Sequence, residues 1–349
     1  MKYPALTRDE MRKVIEGRGN ASRVPVLLHM WVHPDAFEDR KEQVLEIFKE
    51  YPEDAQWIWF DQPGMFDGRE DDPEYRWVNF GDPNKGEHVG HDAKVAISDW
   101  SQLDGVLANF ADPNYKKALP PAPVPGDGRY RIAAWWFCLF ERHWSLRGMT
   151  NALMDYYTDP RSVHRLFRKL TDFYLVWLER AKREQNCDAI MTSDDIGMQT
   201  GPFFSVEIFR EFFKPYYKEL IAKAHSLGMH FWLHACGCIE KFLPDFIDIG
   251  LDVIHPIQKY TMDERKIARE FGGDITLWAG FDVQRIIPWG TPDDVRREVR
   301  FMLDTYARPE GRLLFTAGNG VNGDCTIPSL KALFDEAFSY GSEVVKKKP

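Results

Sequence analysis

Eight short apolar runs, separated mostly by longer amphipathic stretches, constrain this sequence more than any other feature. They are Val24–Leu28, Ala55–Phe60, Arg131–Phe137, Asp188–Ser193, His230–Ala235, Asp252–Ile257, Ile275–Gly280 and Leu313–Ala317. Most are nearly continuous in apolar character, as expected of parallel strands covered on both faces. Helical periodicity fills most of the gaps, at Pro34–Glu50, Arg161–Glu184, Val206–Leu227, Ile239–Ile249, Met262–Phe271, Pro292–Ala307 and Pro328–Lys346. Parallel neighbours need such crossovers. The expected fold is therefore α/β, a single (β/α)8 TIM barrel spanning residues 1–349.

The longest interruption runs from 62 to 128 and is rich in Pro, Gly and Asp ("DQPGMFDGREDDPEYRW", "PPAPVPGDG"), with one amphipathic piece near Ser98–Phe110. Inside a barrel, a stretch of that length reads as an excursion over the mouth after the second strand.

Charge and composition narrow the partners. A net charge of −9 offers no electrostatic case for nucleic acid or an anionic membrane surface. No apolar run approaches the ~20 residues that span a bilayer. The opening "MKYPALTRDEMRKVIEGRG" is charged and lacks the apolar core of a secretion signal. Five cysteines, at 138, 187, 236, 238 and 325, are odd in number and scattered, which fits a reducing cytoplasm better than a disulfide framework. Long amphipathic outer helices leave room for a homodimer.

In such a barrel the chemistry lies where strands run into their following loops. Those positions hold a concentrated set of polar residues: His29 and His33, then Asp61, then Glu141, Arg142 and His143, then Asp194 and Asp195. His234 and Cys236 follow the fifth run, His255 and Gln258 the sixth, Asp282 and Gln284 the seventh, and Asn319 and Cys325 the eighth. A single aspartate before a helix is usually only a cap; the collection points to an active site for a small molecule. Adjacent aspartates on a strand face opposite sides, so only one of Asp194 and Asp195 should enter the mouth.

"HAC" at 234–236 sets an imidazole two residues before a thiol, and both can reach one ion where a strand curls into its loop. Zn2+ favours such N and S ligands, and a catalytic site needs three protein ligands with one position open. Cys325 is the expected third ligand; Cys238 is expected to be structural. The bland alternative is a small buried hydrophobe at each cysteine. Trp57, Trp59, Trp135 and Trp136 form an aromatic cluster that either walls a substrate or packs the core. Trp59 and Trp135 are the substrate-binding candidates among them, with His33, His255, Gln258, Asp282, Gln284 and Asn319.

The segment "DDIGMQTGPFFSVEIFREFFKPYYKELIAKAHSLGMHFWLHACGCIEKFLPDFIDIGLDVIHPIQ" resembles the uroporphyrinogen decarboxylase superfamily, as do "LWAGFDVQRIIPWGTPDDVRREV" and "RVPV". The likeness covers most of the chain and is strongest from Asp188 to Glu298. It implies a (β/α)8 barrel. The place where true decarboxylases of the family carry a substrate-gripping arginine pair reads "HMWVHPDAF", with no arginine until Arg40. The chain is nearer the corrinoid-dependent, coenzyme M type methyltransferase branch, whose zinc-binding His-x-Cys matches His234 and Cys236. In that branch the third ligand is a cysteine after the eighth strand; here Asn319 stands at the matching place, and Cys325 lies six residues later.

The resemblance implies a zinc-dependent methyltransferase that moves a methyl group between a small methylated substrate or thiol and a corrinoid carried on a partner protein. The alternative is a metal-free decarboxylase or related lyase. Its catalytic residues would be Asp61, Asp194, Asp195 and His29, with Arg142 holding a carboxylate.

Overall fold

The computed structural model describes residues 2–87, 90, 94–121 and 126–347. Seven strands form one parallel sheet in sequence order: β1 (Ala55–Trp59), β2 (Tyr130–Trp135), β3 (Ala189–Ser193), β4 (His230–His234), β5 (Val253–His255), β6 (Thr276–Phe281) and β7 (Leu313–Ala317). Every residue of β2 to β7 is buried, because the barrel interior lies on one face and the outer helices on the other. That two-sided burial is why these strands read as unbroken apolar runs.

The first expected strand, Val24–Leu28, is reduced to a single bridge between Val26 and Phe315. It still completes the ring. Leu27 N–H donates to Phe315 O and Phe315 N–H to Pro25 O, each at 2.9 Å, while Asp54 N–H reaches Val26 O at 3.3 Å on the β1 side. A full strand does not form because Pro25 has no N–H and the Val26 N–H is taken by the Asp54 carboxylate at 2.8 Å. The same carboxylate is forked by Arg23, deep in the wall.

The expected helices appear, with changes. Pro34–Glu50 splits into a 3-10 turn, Pro34–Arg40, and an α-helix, Lys41–Glu50. The stretch from Val206 carries a π-helical turn at Phe209–Phe213 before it resumes as Lys214–Ser226. Helix Arg8–Ile15 plugs the N-terminal end of the barrel: Val14 O accepts from Arg312 N–H at 2.9 Å and Ile15 O from Thr276 Oγ1 at 2.8 Å. No helix among the described residues is long and apolar enough to cross a membrane.

The excursion from 62 to 128 is described except at 88–89, 91–93 and 122–125, which lie outside the described residues. Its described part lies along helix Pro160–Gln185. Trp77 packs on Phe173 and Phe110, and Arg180 of that helix donates to the carbonyls of Pro113 and Tyr115. None of its described residues lines the mouth cavity found below. Buried aromatic rings draw it to the apolar flank of the outer helix, and Asp61 anchors its start.

Candidate metal centre

Sheet register decides which side chains meet at the mouth. Trp136, Ser193, Asp195, His234 and His255 occupy the inward face of successive strands, since Ser193 pairs with His234 and His234 with His255 across the ladder. All but His255 border a cavity of about 310 Å3 whose wall also includes Trp31, Phe137, Glu141 and Asn319.

The turn after β4 is shaped by two glycines. Gly237 has φ +87°, and a Cβ there would come within 2.3 Å of the Gly197 backbone. Only glycine allows the loops after β3 and β4 to touch this closely, and Cys238 N–H donates to Met198 O at 2.7 Å across the contact. The effect is to press Asp195 against Cys236: the Cys236 N–H donates to Asp195 Oδ1 at 2.7 Å.

The ligand atoms of Asp195, His234 and Cys236 all lie within 4.8 Å of one another. His234 Nε2 is 3.3 Å from Cys236 Sγ and 3.5 Å from Asp195 Oδ1. Tetrahedral zinc bonds of 2.0–2.3 Å place neighbouring ligand atoms about 3.5 Å apart, so this spacing suits one ion.

The protonation of His234 can be deduced from its neighbours. His255 Nε2 lies 3.0 Å from the Ala317 carbonyl, which can only accept, so His255 carries its proton on Nε2. Burial, with His234 beside it, holds the His255 pKa well below the ordinary range, so its Nδ1 is a bare acceptor. His234 Nδ1 sits 2.6 Å from that atom and must donate to it. His234 is itself kept neutral by burial, which leaves a lone pair on Nε2 facing Cys236 and Asp195. A hydrogen bond on the far nitrogen that fixes a ligand's tautomer is the usual support behind a metal-bound histidine. Trp31 clamps the pair from the cavity side, stacked on His255 at 4.8 Å and on His234 at 5.3 Å. Burial, then Asp195, pushes the Cys236 thiol far up, so ion binding would release its proton.

Cys325, expected as the third ligand, lies elsewhere. It is fully buried, its thiol donates to Thr326 O at 3.3 Å, and Arg40 holds its carbonyl at 2.9 Å. Asp195 stands beside His234 and Cys236 in its place. Asn319 points its amide at Cys236 Sγ at 3.6 Å.

The other expected residues divide. His33 lines the cavity. Trp59 is 37% exposed and packs on Trp136. His255 stands behind His234 rather than facing substrate. Gln258 accepts the Gly237 N–H at 2.6 Å and, with Asp282 and Gln284, borders a smaller cavity of about 50 Å3 on the far side of Cys236. Asp282 also caps the turn at Ile286 and accepts from Tyr260.

Five expectations are corrected by position. Asp194 faces outward and accepts the N–H groups of Leu139, Phe140 and Glu141 and the Tyr217 hydroxyl, so it caps helix Phe140–Arg147; burial raises its pKa to about 6. Asp61 is forked by Arg69 at the foot of the excursion. His29 stacks on Phe48 at 4.0 Å, behind the barrel wall, and burial pushes its pKa down to about 4. Arg142 is buried under the excursion, its guanidinium 4.4 Å from the Trp77 ring. Trp135 points outward into Tyr174 and Trp177, the direction opposite to Trp136.

Glu141 joins the site from helix Phe140–Arg147. It is 5% exposed, and burial, with Asp195 and Asp194 nearby, raises its pKa well above the carboxylate range. Ser193 was not singled out from the sequence, nor was Trp136 chosen, and strand alternation is the signal that finds both; Trp31 offered no local signal beyond lying in the loop after a strand.

Residues 144–340 match the family described as uroporphyrinogen decarboxylase (URO-D). Over 158 residues the chain is 24% identical to the methylated-thiol–coenzyme M methyltransferase of Methanosarcina mazei; the match spans 44% of this chain and 40% of that relative. Among solved structures, a methyltransferase from Methanosarcina mazei superposes with a TM-score of 0.61 at 14% identity, covering 96% of this chain and 99% of that one. That likeness is one of fold.

Proposed function

The chain belongs to the uroporphyrinogen decarboxylase family, and from that premise we propose that it is a zinc-dependent methyltransferase which passes a methyl group from a small methylated substrate to a corrinoid on a partner protein. The observation that carries this reading is the Asp195, His234 and Cys236 cluster, with His234 Nε2 facing Cys236 and Asp195 at the edge of an aromatic cavity. The name of the Methanosarcina mazei relative supports it. The donor set is right for zinc: one N, one S and one O, with room for a fourth ligand on the cavity side.

When bound, the metal supplies a Lewis-acidic position that polarises the substrate's heteroatom. The protein does the rest. Trp31, Trp136 and Phe137 exclude water and favour an apolar substrate body. His255 and the Ala317 carbonyl hold His234 in the ligating tautomer. Asn319 steadies the Cys236 sulfur.

A lyase acting on a carboxylate substrate would need a cation at the cavity. Among the described residues bordering it there is no arginine or lysine, and Arg142 lies under Trp77 instead. The test is methyl transfer to free cob(I)alamin by the zinc-loaded chain, followed by the change in the cobalt spectrum. A panel of methyl thioethers, ethers and amines should contain a donor whose transfer is lost in His234→Ala and Cys236→Ser. Transfer from no donor, or transfer indifferent to both substitutions, would overturn the proposal.

A further inference from the structure

Tyr130 and His230 form a buried pair at the end of the barrel plugged by helix Arg8–Ile15, opposite the mouth. Strand alternation puts His230, Trp232 and His234 of β4 on one face. Four residues at ~3.3 Å each set His230 about 13 Å below His234. Indoles fill the space between. Trp31, which stacks on His234 at the mouth, lies 6.1 Å from Trp278, ring centre to ring centre. Trp278 lies 5.3 Å from Trp232, and Trp232 lies 5.9 Å from Tyr130.

Tyr130 differs from those indoles in what its proton can do. The buried Trp31 and Trp278 N–H groups meet no acceptor among the described residues, so an indole there that loses an electron has no base to take its proton. The Tyr130 hydroxyl has one: His230 Nδ1 at 2.6 Å, closer than the Asp188 carbonyl at 3.2 Å. His230 Nε2 lies 3.3 Å from the Glu16 carboxylate, which accepts from Arg12 and Arg18 and has no proton to give. Burial keeps His230 neutral, so its proton sits on Nε2 and Nδ1 is bare; Asp252, Arg12 and His225 are the other charged or titratable groups near the ring. Tyr130 is fully buried, and burial holds its pKa far above the ordinary phenol range. The phenolic proton therefore stays until an electron leaves, and then has a short path to His230.

Stacked indoles alone are ordinary core packing. A buried tyrosine with its own base at the end of them is what packing leaves unexplained. We propose that Tyr130 is a redox-active tyrosine: an oxidising equivalent delivered to the mouth by a one-electron oxidant, such as an oxygen-centred radical, passes through Trp31, Trp278 and Trp232 and is held on Tyr130 as a neutral tyrosyl radical. The oxidisable thiol of Cys236, beside the upper end of the stack, is thereby spared.

In the step itself the oxidant gains one electron from the first indole, which becomes a radical cation. Each ring is refilled by the next, and the last electron comes from Tyr130. The Tyr130 O–H bond breaks and its proton moves to His230 Nδ1, leaving an imidazolium paired with the Glu16 carboxylate. A small thiol reductant returns the electron and releases its own proton to water; His230 then hands its proton back to the phenoxyl oxygen.

The experiment uses the full chain as purified, with azide radical from pulse radiolysis, which takes electrons from indoles. Trp59, 37% exposed, gives it a way in, since Trp57 lies 6.2 Å from Trp59 and 5.9 Å from Trp278. Every sample carries Trp289→Phe, which removes an indole 79% exposed. The expected result is tryptophanyl absorption that decays into a tyrosyl signal, seen also by EPR after freezing. Tyr130→Phe should lose the tyrosyl signal, and Trp278→Leu should leave the tryptophanyl signal in place. A tyrosyl signal that survives Tyr130→Phe, or transfer unchanged in Trp278→Leu, would overturn the proposal. Should these buried variants fail to fold, the chain with Trp289→Phe alone decides. After exchange into D2O its radical should carry a deuteron hydrogen-bonded to the phenoxyl oxygen, and a water-soluble paramagnetic relaxing agent should not reach it. No tyrosyl radical, or one that the agent reaches, would overturn the proposal equally.

Discussion

The His234 nitrogen that faces Asp195 and Cys236 is the one its neighbours leave bare, and the chain from Ala317 O through His255 is what leaves it bare. Replacing His255 with Phe removes the acceptor for the Nδ1 proton and frees the ring to adopt the other tautomer. Zinc affinity, measured by competition with a chelator, should fall about 10- to 100-fold. An unchanged affinity would mean that the relay has no role. His234 and Cys236 were legible in the sequence because they sit two apart at the end of an apolar run. Asp195 was legible from alternation along β3. Cys325 misled because spacing along the chain says nothing of where a loop turns; Arg40 pulls the 323–325 backbone toward itself and the thiol goes inward. Trp135 misled by a single residue, and in a strand one residue is the opposite face.

Helix Phe140–Arg147 carries Glu141 into the site, and no side chain of its own N-cap, Leu139, holds its first turn. Asp194 does so from β3, with three backbone N–H groups and the Tyr217 hydroxyl. Asp194→Ala should therefore cost about 2 kcal/mol in denaturant unfolding, from a lost cap and orphaned buried donors. A change within about 0.5 kcal/mol would contradict this account. Seven of the eight expected strands were found because two-sided burial writes an unbroken apolar run. The eighth shrank to a bridge because Pro25 and the Asp54 carboxylate remove its ladder bonds, a long-range effect that no local pattern carries. The helix at 140–147 was missed for a related reason: all of it is buried, yet Glu141, Arg142, His143, Ser145 and Arg147 leave it without an apolar stripe.

The excursion and helix Phe140–Arg147 are joined at Asp155. Its carboxylate accepts from Arg147, His143 and the Trp100 indole of the excursion. Burial alone would raise its pKa, but the hydrogen bonds from His143 and Arg147 outweigh it and hold the pKa at about 2. A pKa depressed in the folded state gives stability that is present above the unfolded value of about 3.9 and lost as pH falls towards 2. Wild type should thus exceed Asp155→Asn in thermal stability at pH 6, with the gap closing between pH 4 and 2. A gap that stays constant across that range would remove Asp155 from the account. At this scale the barrel was legible from eight runs in βα alternation. The course of the excursion was not, since a Pro- and Gly-rich stretch carries no period and its place was set by where Trp77 finds apolar cover.

The central claim is that Asp195, His234 and Cys236 hold one zinc ion. Zinc-edge X-ray absorption on the metal-loaded protein, with elemental analysis, tests it most directly. One zinc per chain is expected, with a single sulfur neighbour at about 2.3 Å and nitrogen or oxygen neighbours at about 2.0–2.2 Å. Two sulfur neighbours would put a second cysteine where Asp195 stands, and failure to retain stoichiometric zinc would contradict the site altogether.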